Sequence, residues 1–140
     1  EIVSGLIYDP IKDEMFYAEK NNGAYLNNKR LRVSKRKKLE ECLVSTNGTE
    51  DIVNNSIKKK ITIRNSGSAA LDLAYVASGR FDVFFQKNLS LWDIAAGVII
   101  LKEAGGKIKD EDLTNKLNNI NLIASNGSLD QNLIKTFVNF

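Results

Sequence analysis

The residues best suited to chemistry lie in the stretch Ser90–Gly106, which begins Ser-Leu-Trp-Asp-Ile-Ala-Ala-Gly. Asp93 stands where apolar residues begin to recur at helical spacing, and the free N–H groups and dipole of a helix start favour an anion. Trp92 beside it is expected to limit the access of water. Ser90 and Asp93 also have the spacing of a capping box. Asp93 is therefore either a capping residue or a held carboxylate able to bind a metal ion.

The absence of histidine narrows the chemistry further. The chain has no His and a single cysteine, which excludes a Ser-His-Asp triad, a Cys-His pair and a histidine-ligated zinc site within it. Carboxylates remain, and such hard oxygen ligands suit Mg²⁺. Magnesium-dependent carboxylate chemistry is the class that these residues favour.

A second candidate constellation lies in the stretch Arg64–Ala70, which reads Arg-Asn-Ser-Gly-Ser-Ala-Ala. It places a strand end, a glycine turn and a helix start in succession, and this geometry presents backbone N–H groups to a ligand. An ordinary helix start capped by Ser66 or Ser68 would have the same residues. The pattern alone leaves both interpretations open.

The elements that must position these residues alternate between strand and helix. A buried helix is predicted from Trp92 to Ala104, with small residues over Ala95–Gly97 that allow close packing and Gly105 as its stop. A second helix is predicted over Gly67–Ser78. From Cys42 onward strands and helices alternate, which favours an α/β fold with helices covering a parallel or mixed sheet. Further elements are predicted as strands over 2–8, 14–19, 41–46, 61–64, 81–85 and 121–124, a polar helix over 51–60 and a terminal helix over 129–138.

Composition indicates a soluble globular chain. Of 140 residues, 43% are hydrophobic and 26% charged, as in ordinary folded domains. The net charge of +3 comes largely from two basic clusters, Lys35–Lys38 and Lys58–Lys60. Neither is interleaved with aromatic residues, so nucleic-acid binding is not predicted. No apolar run approaches the roughly 20 residues of a membrane span and no signal-peptide plan is visible, so a cytoplasmic location is expected.

The string Trp-Asp-x-Ala-Ala-Gly, followed by Glu-Ala-Gly-Gly at 103–106, resembles the C-terminal signature of the inositol monophosphatase family, including its SuhB-like members. In that family the Asp is a Mg²⁺ ligand, so the resemblance assigns Asp93 to a metal site, with Trp92 in the layer behind it. The family's substrate-contacting turn is similar to the Gly-Ser-Ala turn. The substrate-binding residues implied by the resemblance are Gly67, Ser68, Ala69, Gln86 and Asp93.

Gln86 departs from the family pattern. Many relatives have Glu at this strand end, where it accepts hydrogen bonds from substrate hydroxyls, whereas an amide accepts and also donates. A polar residue ending the aromatic strand before a turn at Lys87–Asn88 explains Gln86 equally well. The substrate class implied is a phosphorylated polyol or sugar, and its identity stays open.

The resemblance implies the C-terminal lobe of the layered αβαβα sugar-phosphatase fold. Residues 1–34 are then a β-hairpin and meander belonging to the sheet of an N-terminal lobe, and residues 35–140 form the C-terminal α/β lobe. The family's first signature, an Asp-Pro-Ile-Asp-Gly-Thr-like loop, is not found here. We therefore expect this chain to be a piece of a homodimeric Mg²⁺-dependent phosphatase that uses two metals to direct water at a phosphate monoester. Without the missing N-terminal lobe it is expected to be inactive.

The alternative from a different class is a non-catalytic binding or scaffold module, because SuhB-like proteins also take part in transcription complexes. The two basic clusters mildly favour this alternative. The first signature, if encoded upstream, would favour the enzyme.

Overall fold

The computed structural model describes residues 1–48, 50–109, 113 and 115–138, which form nine β-strands in two sheets and four α-helices. The strands are β1 (Ser4–Asp9), β2 (Glu14–Glu19), β3 (Gly23–Leu26), β4 (Lys29–Arg30), β5 (Leu43–Ser45), β6 (Thr62–Arg64), β7 (Val83–Leu89), β8 (Lys107–Lys109) and β9 (Ile120–Ser125). The helices are α1 (Glu50–Lys58), α2 (Ala69–Ala77), α3 (Leu91–Glu103) and α4 (Gln131–Lys135), and a 3₁₀ turn covers Leu39–Glu41.

The first sheet is an antiparallel meander in the order β1-β2-β3-β4. Its side chains alternate between two faces, as the pleat of a strand requires. Ile7 and Phe16 are cross-strand partners and are buried on the inner face, whereas Leu6 and Met15 on the other face are exposed. Gly23, with φ of +85°, begins β3 after the Asn22-Gly23 turn.

The second sheet is mixed and has the order β6-β5-β7-β9-β8. Strands β6, β5 and β7 run parallel, and β9 and β8 pair antiparallel beyond them. Parallel neighbours need crossover connections, which α1 and α2 supply. The mixed sheet flanked by helices confirms the α/β class expected from the alternation of elements.

The two sheets and the helices form layers, and the buried clusters show which elements pack against each other. Helices α2 and α3 pack between the two sheets, so that Phe16 of β2, Leu73 of α2, Ile100 of α3 and Phe84 of β7 belong to one buried cluster. The other face of the mixed sheet forms a second cluster that carries α4, with Ile134 as its buried member, and takes side chains from α1 at its edge. The described chain is thus layered sheet, helices, sheet, helices.

The small residues in α3 allow the close packing that the sequence predicts. A Cβ added to Gly97 would lie 2.7 Å from Leu73 Cβ, and one added to Gly5 would lie 2.8 Å from Ala96 Cα. Such separations are far inside van der Waals contact. Glycine at these two positions therefore lets α3 approach α2 on one side and β1 on the other.

Several predicted bounds were wrong. Strand β7 continues to Leu89 through a register irregularity, where a turn at Lys87–Asn88 was expected; Asn88 has φ of +58°. Helix α4 begins at Gln131, after Asp130 caps it by accepting from Asn132 N.

Among the described residues, no helix has both the length and the apolar character needed to cross a membrane.

Candidate functional site

An open cleft of about 430 Å³ lies where β5, β6 and β7 end. Carboxyl ends of parallel strands meet at one edge of a sheet, and ligands of open α/β folds bind at that edge. The starts of α2 and α3 close the same edge. The cleft is lined by Asn47, Gly67, Ser68, Ala69, Ala70, Gln86, Leu89, Trp92 and Asp93.

All six residues that the sequence singled out thus line one cleft, although they come from three separate parts of the chain. The family signature located the Trp92–Asp93 pair, the glycine turn located the start of α2, and Gln86 is the side chain that joins them from β7. Because they line the same cleft, these residues could contact one bound ligand.

The turn before α2 is shaped by Gly67 and Ser68. Gly67 has φ of +79°, and a Cβ there would meet no atom within 4 Å, so the backbone conformation rather than crowding favours glycine. Ser68 is the N-cap, and its side chain accepts from Leu71 N at 3.2 Å. The N–H groups of Ala69 and Ala70 lie in the first turn, where no intrahelical acceptor exists. The structure therefore contains both the cap and the free donors between which the sequence could not choose.

Asp93 occupies the first turn of α3, as predicted, but its surroundings differ from the expectation. Its side chain is exposed, and Trp92 is 70% exposed. The indole therefore does not shield the carboxylate from water in this chain. The helical periodicity that buries Ile94 turns the side chains of Trp92 and Asp93 outward.

The capping box predicted at Ser90 and Asp93 is not formed. Ser90 is the N-cap by position, but its side chain makes no capping bond, and its hydroxyl instead donates to Asn118 Oδ1 at 3.1 Å. Leu91 N bonds to Leu117 O, so the chain entering α3 is held by the segment before β9. With no capping role for its side chain, Asp93 is free to face the cleft.

Gln86 is joined to a residue that the sequence did not single out. Asn47, two residues past β5, donates from Nδ2 to Gln86 Oε1 at 2.9 Å. Asn47 Oδ1 is buried and has no hydrogen-bond partner among the described residues. An amide pair thus forms one wall of the cleft.

Behind the glycine turn lies a buried acid, Asp72 of α2. Ser66 donates its hydroxyl to Asp72 Oδ1, while Asp72 Oδ2 is buried without a partner in the described part of the chain. Burial raises the pKa of Asp72 to about 6, an effect that the Ser66 hydrogen bond partly opposes. Asp72 therefore supports the turn from below and does not line the cleft.

Asp93 is the one carboxylate among the side chains that line the cleft. Within residues 1–48, 50–109, 113 and 115–138, no group of three or more Asp, Glu, His or Cys side chains is placed to hold a metal ion. Mg²⁺ is commonly held by one or two carboxylates together with water and substrate phosphate. An exposed carboxylate at a cleft fits that partial role.

Asn47 and Asp72 were missed by the sequence analysis. Strand β5 has only three residues, and Asn47 follows it without any motif. The available signal was topological: once β5 and β7 are parallel neighbours, the polar residues after one must lie near the end of the other. Asp72 was hidden because an acid in the first turn of a helix reads as an ordinary dipole-favoured residue.

Comparison with known proteins gives a match over the whole length. The sequence model of the Inositol monophosphatase family matches residues 1–140. An inositol-1-monophosphatase from Mesorhizobium japonicum is 38% identical over 146 residues, covering 96% of this chain and 55% of that protein. A protein named Nus factor SuhB from Pseudomonas aeruginosa is 42% identical over 117 residues, covering 75% of this chain and 43% of that protein.

Solved structures agree with the fold. The IMPase of Thermotoga maritima superposes with a TM-score of 0.82 at 41% identity, covering 96% of this chain and 55% of that one. The chain spans about half the length of the relatives it matches.

Proposed function

Because the chain belongs to the inositol monophosphatase family, we propose that its complete protein hydrolyses a phosphate monoester of a polyol or sugar in a Mg²⁺-dependent reaction. The observation that carries this proposal is the convergence of Asp93, the Gly67–Ala69 turn and Gln86 on one cleft at the edge of the mixed sheet. Relatives named inositol-1-monophosphatase support the reaction class.

In this proposal Asp93 is a ligand of the metal. A divalent ion held by Asp93 would supply Lewis-acid stabilisation of the charge that develops on the transferred phosphoryl group. We propose that the other ligands come from a further lobe, corresponding to the half of the relatives that this chain does not match. That lobe would also supply the group that directs water.

The turn before α2 binds and orients the substrate. Its free N–H groups at Ala69 and Ala70 and the Ser68 hydroxyl face the cleft at the positive end of a helix, and they can donate to oxygens of the polyol. Gln86 contacts the substrate from the opposite wall. Orientation by several fixed donors converts binding energy into a productive geometry.

The direct test is phosphate release by the complete protein from inositol 1-phosphate, with and without Mg²⁺. We expect turnover that requires the metal, and no turnover by residues 1–140 alone. Absence of activity in the complete protein with every phosphomonoester tested would reject the proposal. Light scattering on the same sample tests the homodimer that the family resemblance implies.

A non-catalytic binding role is the second candidate, favoured by the likeness to a protein named Nus factor SuhB. The basic cluster 35–38 is exposed, although Arg36 bonds to Asp82. If this cluster binds a partner protein, the double variant Lys37→Glu/Lys38→Glu of the complete protein should lose binding to that partner while its phosphatase activity stays unchanged. The same loss with Lys58→Glu instead would assign the role to a different surface.

A further inference from the structure

The Asn47–Gln86 amide pair bears on which substrates the cleft accepts, and this question rests on the proposed function. Gln86 follows Phe84 and Phe85 in β7, which are buried in the two different cores on either side of the sheet. Alternation therefore turns Gln86 to the side of Phe84, where α2 and α3 begin. The position of Gln86 in the cleft is thus fixed by a strand rather than by a loop.

The orientation of the Gln86 amide is fixed by Asn47. An amide side chain has one acceptor oxygen and one donor nitrogen. Asn47 Nδ2 occupies the acceptor, Gln86 Oε1, at 2.9 Å. No acceptor among the described residues takes the Nε2 hydrogens of Gln86, and the side chain is only partly buried at the cleft wall. The group that Gln86 offers to a ligand is consequently a hydrogen-bond donor.

A donor selects its partners. Hydrogen bonds from N–H to an ionised oxygen are about twice as strong as bonds to a neutral one. A substrate hydroxyl can accept a hydrogen bond from Gln86 Nε2. It cannot also donate its proton to Gln86, because Gln86 Oε1 already accepts from Asn47. A carboxylate or a phosphate oxygen uses the donor fully and carries no proton that must be placed.

We infer that the Asn47–Gln86 pair is a specificity element that favours phosphomonoesters carrying a second, anionic oxygen group over those carrying only hydroxyls at that position. Asn47 acts through Gln86 and is a positioning residue. Gln86 is the residue that contacts the substrate.

The experiment measures kcat/KM of the complete protein for three probes: inositol 1-phosphate, which carries only hydroxyls, 3-phosphoglycerate, which carries a carboxylate, and fructose 1,6-bisphosphate, which carries a second phosphate. The quantity compared is the ratio of each anionic probe to inositol 1-phosphate. Asn47→Ala frees the Gln86 amide to rotate and accept from a hydroxyl. We expect this substitution to lower at least one anionic-to-hydroxyl ratio by roughly fivefold or more.

Two further variants separate specificity from folding. Asn47→Asp offers only acceptors to Gln86, so it draws the Nε2 donors inward and should lower the ratio at least as far as Asn47→Ala. Gln86→Glu keeps the bond from Asn47 but places a charge opposite the anion, and it should lower the ratio further by raising KM for the anionic probes. Asn54→Ala is the matched control, because Asn54 is exposed on α1, across the sheet from the cleft.

The outcomes are distinct. A fall in the ratio for 3-phosphoglycerate alone, or for fructose 1,6-bisphosphate alone, supports the inference and identifies the anionic group. Unchanged ratios in both Asn47 variants, with active enzyme, overturn it. Failure of the unmodified protein to hydrolyse any probe rejects the proposed function itself.

Discussion

Polar groups are treated differently at the start of strand β7, beside Asp82, and farther along it, near Gln86. Asp82, just before the strand, is fully buried, and each of its carboxylate oxygens has partners. Oδ1 accepts from the Ser34 hydroxyl and from Arg36, and Oδ2 accepts from Leu43 N at 2.8 Å. The end near Asp82 thus satisfies its polar atoms completely.

Near Gln86, in the middle of β7, several buried oxygens have no hydrogen-bond donor among the described residues. Ser45 Oγ, Thr46 Oγ1 and Asn47 Oδ1, which follow one another at the end of β5, are buried without partners in the described part of the chain. Unpaired buried polar atoms cost stability, so an accumulation of them needs an explanation beyond folding. The difference between these two regions separates the polar network that holds the fold from the one available to a ligand.

The largest expected effect comes from removing the charge of the cleft. If Asp93 holds the divalent ion as proposed, Asp93→Asn in the complete protein should lower kcat/KM by roughly 10³-fold or more, about 4 kcal/mol of transition-state stabilisation. Unfolding by urea should change little, since the Asp93 side chain is exposed and makes no cap. If the variant is partly unfolded and its activity only follows the folded fraction, Asp93 stabilises the helix start and does not bind the metal.

Asp82→Ala should show the opposite pattern. Leu43 N and the Ser34 hydroxyl lose a buried acceptor, and we expect the free energy of unfolding to fall by about 2–4 kcal/mol. Arg36 is partly exposed and adds little to this loss. Measured under conditions where the variant remains folded, kcat/KM should be unchanged. A large loss of activity in fully folded Asp82→Ala would break the comparison, because it would couple the two regions of β7.

Asp72 tests whether the cleft side tolerates an unsatisfied charge. Its pKa is raised from 3.8 to about 6 by burial, so the folded protein holds the proton more tightly than the unfolded chain. The stabilisation is present below pH 4, and it is lost as pH rises from about 4 to about 6. Asp72→Asn cannot ionise and should escape this loss, at most about 3 kcal/mol.

The measurement is urea unfolding of the complete protein and of Asp72→Asn at pH 4 and pH 7. Relative to the parent protein, Asp72→Asn should have a higher free energy of unfolding at pH 7 than it has at pH 4. Asp130→Asn is the control, because Asp130 is an exposed cap at the start of α4. A constant difference across this range would mean that folding does not raise the pKa of Asp72.

Sequence reasoning reached features that are local or carried by a motif. The stop of α3 at Gly105 and a serine cap before α2, for which the sequence offered Ser66 or Ser68, follow from residue type and spacing. What it missed depends on contacts between distant segments. Asp82 meets Ser34 across 48 positions and Asn47 meets Gln86 across 39, and no periodicity encodes such pairs.

The exposure of Trp92 was missed for a related reason. A tryptophan beside apolar residues predicts burial on average, but the phase of α3 is set by its packing on α2 and on the first sheet. Gly97 and Gly5 decide that packing by allowing backbone contact. The sequence identified the small residues but not which face they would turn inward.

The smallest expected effect concerns this close contact, which sets the spacing of the two helix starts that line the cleft. In Gly97→Ala the new methyl would lie 2.7 Å from Leu73 Cβ, an atom that cannot rotate away. Overpacking of this kind costs about 1–3 kcal/mol, and the better helix propensity of alanine returns about 1 kcal/mol. We therefore expect a net destabilisation of about 1 kcal/mol and a raised KM, with the Asp82 end of β7 unaffected. The check is a double-mutant cycle with Leu73→Ala, which removes the clashing Cγ and Cδ1 atoms and should make the two substitutions cost less together than the sum of their separate effects. Simple additivity would show that the part of the Leu73 side chain beyond Cβ does not contribute to the crowding at Gly97.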